Sequence, residues 1–176
     1  MKQLIIFMLI LSSCIAIAGE RVSYQNWAVE LSGQTSEAYT VAKDNTSLGV
    51  FCAKEQCLFY LRQGLNCTSG TSYPILMNST STTTSLSMEC TLINGNRFQV
   101  LKPFNEVLRA TQSGDSVGFA VGLQSGTFAA SQFSLLGAKS AIDRVLIEAA
   151  NSTKKDQGPP PQSLPPPKKN AKDISI

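Results

Sequence analysis

Residues 86–93 alternate strictly between apolar and polar side chains, which is the pattern of a β-strand with one buried face. They lead into Asn94-Gly95-Asn96 and then into a second apolar-rich run, residues 98–101. Asn-Gly between two such runs is the strongest short-range signal of a β-hairpin. The chain is therefore expected to be built from antiparallel strands.

Other short runs are rich in alternating, β-branched or aromatic residues and are separated by Gly, Ser, Asn and Asp. They are residues 26–31, 38–42, 48–51, 58–61, 116–123 and 130–135. Short strands at such spacing, joined by turn residues, are typical of sandwiches and barrels. We predict a mainly β domain, an antiparallel β-sandwich or barrel-like fold, over residues 19–150.

One helix is predicted, over residues 138–150 at the end of this domain. Its apolar face repeats at helical spacing. The residues on that face are Ala141, Ile142, Val145, Leu146 and Ala149. Because most helical stability comes from tertiary contacts, we expect this face to cover the sheet. Docking of the face on a partner protein is the alternative.

The chain begins with Met1-Lys2, and residues 3–17 are almost wholly apolar. Ala16-Ile17-Ala18 before Gly19 fits the small-x-small site of signal peptide cleavage. An uncleaved membrane anchor is the alternative, but an apolar stretch of about 15 residues is shorter than the ~20 that cross a bilayer. We predict that residues 1–18 are a cleaved signal peptide.

Leu11-Ser12-Ser13-Cys14 offers a second interpretation of this leader, because it resembles a bacterial lipobox. In that case Cys14 carries a lipid that anchors the protein to a membrane. The residues after Cys14 stay apolar, whereas a lipoprotein usually turns polar there. We therefore favour a protein without a lipid, which associates with membranes only through its partners.

Cleavage before Gly19 leaves four cysteines, Cys52, Cys57, Cys67 and Cys90. An even number of cysteines in an exported chain indicates disulfides. Local spacing favours the pairs Cys52–Cys57, which flank a polar turn, and Cys67–Cys90. A four-thiolate zinc site is the alternative, but the cysteines lack its usual paired C-x2-C spacing. No metal or cofactor is expected.

Residues 151–176 differ in composition from the rest of the chain. They hold six of the eight prolines and a surplus of lysine, and we predict a disordered tail with polyproline II segments. The tail is either a solvated spacer or a segment that docks on a neighbouring subunit. Its candidate docking residues are Pro159, Pro160, Pro161, Pro165, Pro166, Pro167, Lys168 and Lys169.

The composition excludes several chemistries. The chain has no histidine, which rules out catalytic sites and zinc sites that need an imidazole. A net charge of +3 is too small to suggest nucleic acid as a partner. Carboxylates for acid–base work lack a supporting arrangement, so no catalytic function is expected. These carboxylates are Asp44, Glu55, Glu89, Glu106, Asp115, Asp143 and Glu148.

Two further features each have a structural and a functional interpretation. Residues 78–87 are rich in Ser and Thr and are expected to be a solvated loop that enters a strand, or else a loop that faces carbohydrate or a partner. Trp27 shares a strand face with Val29 and Leu31, so we predict that it lies in the core. An exposed tryptophan that stacks on sugar or peptide is the alternative.

Four segments carry a family resemblance. They are residues 26–29 around Trp27, Phe51-Cys52 with Cys57, residues 73–76 between Cys67 and Cys90, and residues 133–142. Together they resemble the invasion-associated locus B (IalB) family of exported bacterial proteins. The resemblance implies a small periplasmic or surface β-rich protein with disulfides and without established catalysis.

We therefore expect an exported, non-enzymatic bacterial protein of the periplasm or cell envelope. It is expected to be an accessory or structural subunit of a larger assembly, such as a secretion system, with other envelope proteins as partners. The alternative is a secreted effector or a carbohydrate-binding module that acts outside the cell. The sequence leaves the oligomeric state open.

Overall fold

The computed structural model describes residues 19–93 and 96–156. The predicted signal peptide with Cys14, the turn residues Asn94 and Gly95, and residues 157–176 lie outside the described residues. The proline and lysine positions predicted for partner docking belong to this last segment.

Ten strands and two helices form within the described residues. The strands are β1 (Glu20–Tyr24), β2 (Trp27–Ser32), β3 (Thr35–Val41), β4 (Ser47–Ala53), β5 (Gln56–Arg62), β6 (Ser72–Ser79), β7 (Thr83–Ile93), β8 (Asn96–Lys102), β9 (Ser116–Gly122) and β10 (Phe128–Ser134). Helix α1 (Phe104–Thr111) follows β8, and helix α2 (Ala138–Asp156) follows β10.

These strands form one antiparallel sheet in the order β1-β2-β3-β4-β5-β8-β7-β6-β9-β10. The sheet curls into a half-barrel, so that the end of β10 returns to the start of β2. There the indole Nε1 of Trp27 donates a hydrogen bond to the Ser134 carbonyl at 2.9 Å. The backbone N–H of Asn26 donates to the Leu136 carbonyl. The mainly β prediction is confirmed, with a curled sheet of the barrel-like kind.

Both helices cover the same face of the sheet, which we call the inner face. The hydroxyl of Ser36 on β3 donates to the Val145 carbonyl of α2, and Phe59 on β5 lies 4.9 Å from the ring of Phe104 on α1. Inner-face side chains of both halves of the sheet join the helices in one hydrophobic core. Trp27 belongs to this core and is 1% exposed, which confirms its predicted burial.

Two disulfides form with the predicted pairing. Cys52 and Cys57 lie directly opposite each other on β4 and β5, with Cα atoms 4.1 Å apart. Cys67 and Cys90 join the segment before β6 to β7, with Cα atoms 6.0 Å apart. Both cross-links brace neighbouring parts of the one sheet.

Three elements are absent from the sequence prediction, namely β1, β6 and α1. β1 and α1 have only five and eight residues, which is too short for an alternating or helical pattern to be recognised. β6 contains Pro74, a residue that normally argues against an inner strand. The ladder between β6 and β9 begins only at Ile75, so the missing N–H of Pro74 lies just outside it.

Two predicted boundaries are wrong. Residues 78–87 are mostly strand rather than loop, because β6 ends at Ser79 and β7 begins at Thr83. Threonine and serine suit a strand that has one solvated face. Helix α2 continues to Asp156 instead of ending near residue 150. No helix in the described part of the chain is long and apolar enough to cross a membrane.

Candidate functional site

Two carboxylates lie directly opposite each other on the outer face of the sheet, the face turned away from the helices. Glu30 on β2 pairs with Glu37 on β3 across the antiparallel ladder. Like charges in such a position repel. Each carboxylate accepts a hydrogen bond from a tyrosine hydroxyl, Glu30 from Tyr39 at 2.9 Å and Glu37 from Tyr60. Arg21 on β1 lies 3.5 Å from Glu30.

Tyr60 reaches Glu37 by lying across a glycine. It stands on β5 and Glu37 on β3. Gly49 of β4 pairs with Tyr60 on one side and with Tyr39, two residues from Glu37, on the other. A Cβ atom on Gly49 would come within 2.6 Å of the Tyr60 ring, so only glycine leaves room for this position. The ring of Phe98 packs edge-on against Tyr60 at 5.2 Å. Tyr60 is therefore only 4% exposed although it is on the outer face.

Burial shifts the pKa values of this cluster. Loss of hydration raises the pKa of Glu37 above its ordinary value, and the hydrogen bond from Tyr60 opposes that rise in part. Burial, followed by the charge of Glu37, raises the pKa of the Tyr60 hydroxyl. Tyr60 therefore keeps its proton and remains a hydrogen-bond donor. The hydrogen bond from Tyr60 to Glu37 therefore links β5 to β3 across β4.

The pairing of Glu30 with Glu37 was not predicted from the sequence. A signal was present, because both lie in strand runs on either side of Ser32-Gly33-Gln34-Thr35, and a two-residue turn there sets them opposite each other. The seven carboxylates singled out from the sequence are instead spread over the surface. Five of them have their own partner: Asp44 with Thr46, Glu89 with Lys102, Glu106 with Arg109, Asp143 with Lys139, and Glu148 with Arg144.

Gly49→Ala is expected to lower the free energy of unfolding by about 1–3 kcal/mol, because the new methyl group displaces the Tyr60 ring from Glu37. Thermal and urea denaturation measure the change. Gly118→Ala is the matched control, since a Cβ on this strand glycine meets no atom closer than 3.8 Å. Equal stability of the two variants would contradict the role of Gly49.

A groove of about 820 Å³ crosses the other half of the outer face, over β6, β9 and β10. We call it the β9 groove. Its floor consists of the small residues Gly118, Ala120 and Ala130. Its lining residues are Leu76, Asn78, Ser79, Thr80, Thr83, Ser116, Gly118, Phe119, Ala120, Ala130, Ser131 and Gln132.

The β9 groove is lined by neutral polar groups. Asn78 accepts a hydrogen bond from Thr83 at 2.8 Å, and Gln132 donates to Ser116 at 3.1 Å. None of its lining residues is charged, and residues 116–138 contain no charged residue at all. Asn78 and Thr83 belong to the Ser/Thr-rich residues 78–87 and reach this surface from the β6–β7 hairpin. A neutral surface of this kind suits an uncharged ligand or protein segment.

Comparison with known proteins gives a structural likeness and no sequence relative. No protein-family model and no curated protein sequence matches the chain. The crystal structure of invasion associated protein B from Bartonella henselae superposes with a TM-score of 0.52 at 12% sequence identity. The match covers 73% of this chain and 97% of that chain. The resemblance inferred from the sequence is thus confirmed as a distant one, and this chain shares the fold of invasion associated protein B.

Proposed function

We propose that this chain is a non-enzymatic, exported bacterial protein of the periplasm or cell envelope that binds partner proteins through its β domain. The observation that carries the proposal is the β9 groove, a neutral groove on the outer face of a sheet whose other half carries Arg21, Glu30 and Glu37. Charged residues are depleted at the centres of protein interfaces.

Three further observations support the proposal. The two disulfides are typical of an oxidising compartment outside the cytoplasm. The structurally similar protein is described as invasion associated. Glu30 and Glu37, the carboxylates that the fold brings together, are each held by a tyrosine and so are poorly suited to acid–base catalysis. A subunit of a secretion system or of another envelope assembly fits these features.

The test is affinity purification of the tagged full chain from its native envelope, followed by mass spectrometry of the co-purified proteins. Ala120→Lys places a long cation on the floor of the β9 groove and is expected to reduce recovery of the specific partners at least about tenfold. Ser23→Lys, on the exposed outer face of β1, adds the same charge elsewhere and should recover them fully. Full recovery of the partners by both variants would exclude the β9 groove as the site that binds them.

Carbohydrate binding is the second candidate, because Asn78, Thr83 and Gln132 present neutral hydrogen-bonding groups to the same groove. A glycan array with purified protein tests it directly. Binding of the unsubstituted chain that is lost in Ala120→Lys would assign the groove to sugar instead of protein. Fractionation separates the secreted alternative, since an envelope subunit stays with the envelope and an effector appears in the culture medium.

A further inference from the structure

β10 is an edge strand, and within the described residues its outward backbone groups have no partner as far as Gln132. The next outward carbonyl, that of Ser134, accepts the hydrogen bond from Trp27. The backbone N–H of Leu135 donates a hydrogen bond to the Asp115 carbonyl, and that of Leu123 donates to the Thr127 carbonyl. Because the bonded residues of an antiparallel ladder alternate, the odd-numbered residues of β10 hydrogen-bond to β9. The even-numbered residues Phe128, Ala130 and Gln132 therefore direct their N–H and C=O groups away from the sheet. All three are exposed.

This edge lacks the usual protection against pairing with another strand. Natural edge strands are commonly protected by charged residues, proline or a bulge. β10 has no charged residue and no proline, and it pairs with β9 in unbroken register. The opposite edge, β1, carries Glu20 and Arg21, which form ion pairs with Arg144 and Glu30.

Exposed apolar side chains lie at both ends of the same strand. Phe128 is 68% exposed at the start of β10, Leu123 is 37% exposed in the turn before it, and Leu136 is 50% exposed just after it. Antiparallel pairing of two identical strands brings the start of one strand beside the end of the other. It therefore places Phe128 of each copy beside the last residues of the other strand and covers part of its exposed ring.

We propose that β10 pairs antiparallel with β10 of a second copy of this chain, centred on Ala130. In this register Ala130 faces Ala130 of the other copy, and Phe128 faces Gln132. The Ala130 pair and the two symmetry-related pairs of Phe128 with Gln132 then hydrogen-bond through their free N–H and C=O groups. The Cα atoms of each pair lie about 5.5 Å apart. None of the paired residues is charged, so the two strands do not repel each other. The result is a two-fold symmetric dimer with one continuous sheet.

This inference is independent of the proposed partner binding, because it needs only the purified chain. Sedimentation equilibrium over a wide concentration range is expected to show a monomer–dimer equilibrium. Ala130→Lys sets two lysines opposite each other across the two-fold axis and should weaken dimerisation at least about tenfold. Ala130→Glu should act in the same way.

A mixture of the two variants provides the decisive measurement. Lysine from one chain faces glutamate from the other, so the mixture should form a heterodimer although each variant alone is monomeric. Ser23→Lys, on the opposite edge, should dimerise like the unsubstituted chain. A chain that stays monomeric at every concentration overturns the proposal, as does an Ala130→Lys variant that dimerises normally. An envelope protein that crosslinks to β10 of a monomeric chain would identify a different occupant.

Discussion

Trp27→Ala is expected to lower the free energy of unfolding by about 3–5 kcal/mol. Trp27 is 1% exposed, so its removal leaves a large cavity in the hydrophobic core. The variant also loses the hydrogen bond from the indole Nε1 to the Ser134 carbonyl, which ties β2 to the end of β10. Urea denaturation monitored by far-ultraviolet circular dichroism gives the measurement.

Trp27→Phe is the matched control, because it keeps an aromatic ring in the core but removes the donor. Its free energy of unfolding should fall less than that of Trp27→Ala, because the phenylalanine ring leaves a smaller cavity. If Trp27→Ala melts at the unchanged temperature and loses a ligand instead, Trp27 is a binding residue and its assignment to the core is wrong.

Removal of the Cys67–Cys90 disulfide by double substitution with alanine is expected to cost about 3 kcal/mol. The two cysteines are 23 residues apart, so the bridge removes many conformations from the unfolded chain. The Cys52–Cys57 bridge spans only 5 residues, and its loss should cost about 2 kcal/mol in the same model. The order of the two effects follows from loop length alone.

Denaturation of the two double variants side by side, with the unsubstituted oxidised chain as reference, measures both effects. Each variant serves as the control for the other, because each removes two cysteines that share one bridge. A larger loss from the Cys52–Cys57 variant would contradict the loop-closure argument. Four free thiols in freshly exported protein would contradict the bridges themselves.

Much of the fold could be predicted because its signals are local. Strict alternation in residues 86–93 and the Asn-Gly turn after it predict a hairpin, and β7 pairs with β8 in that arrangement. The cysteine pairs could be predicted for the same reason, since each pair is near in sequence. Trp27 shares its strand face with apolar neighbours, and its burial follows from that alternation.

Other elements were missed where a local signal was weak or misleading. α1 has eight residues and buries only Val107, Ala110 and Thr111, which is too short a pattern to stand out. The Ser/Thr-rich residues of β6 and β7 look like a loop by composition, but pairing with each other and with β9 makes them strands. Strand formation there depends on neighbours that are distant in sequence.

The sequence by itself determined the β4–β5 and β7–β8 hairpins, the disulfide pairs, the buried tryptophan and the mainly β class, because alternation and spacing act over a few residues. Only the tertiary structure decided the curl of the sheet, the meeting of Tyr60 with Glu37 over Gly49, and the β9 groove. These features depend on which strands lie side by side, and β5 with β8 or β6 with β9 are pairings between segments far apart along the chain. The free edge of β10 likewise exists only because the sheet ends there.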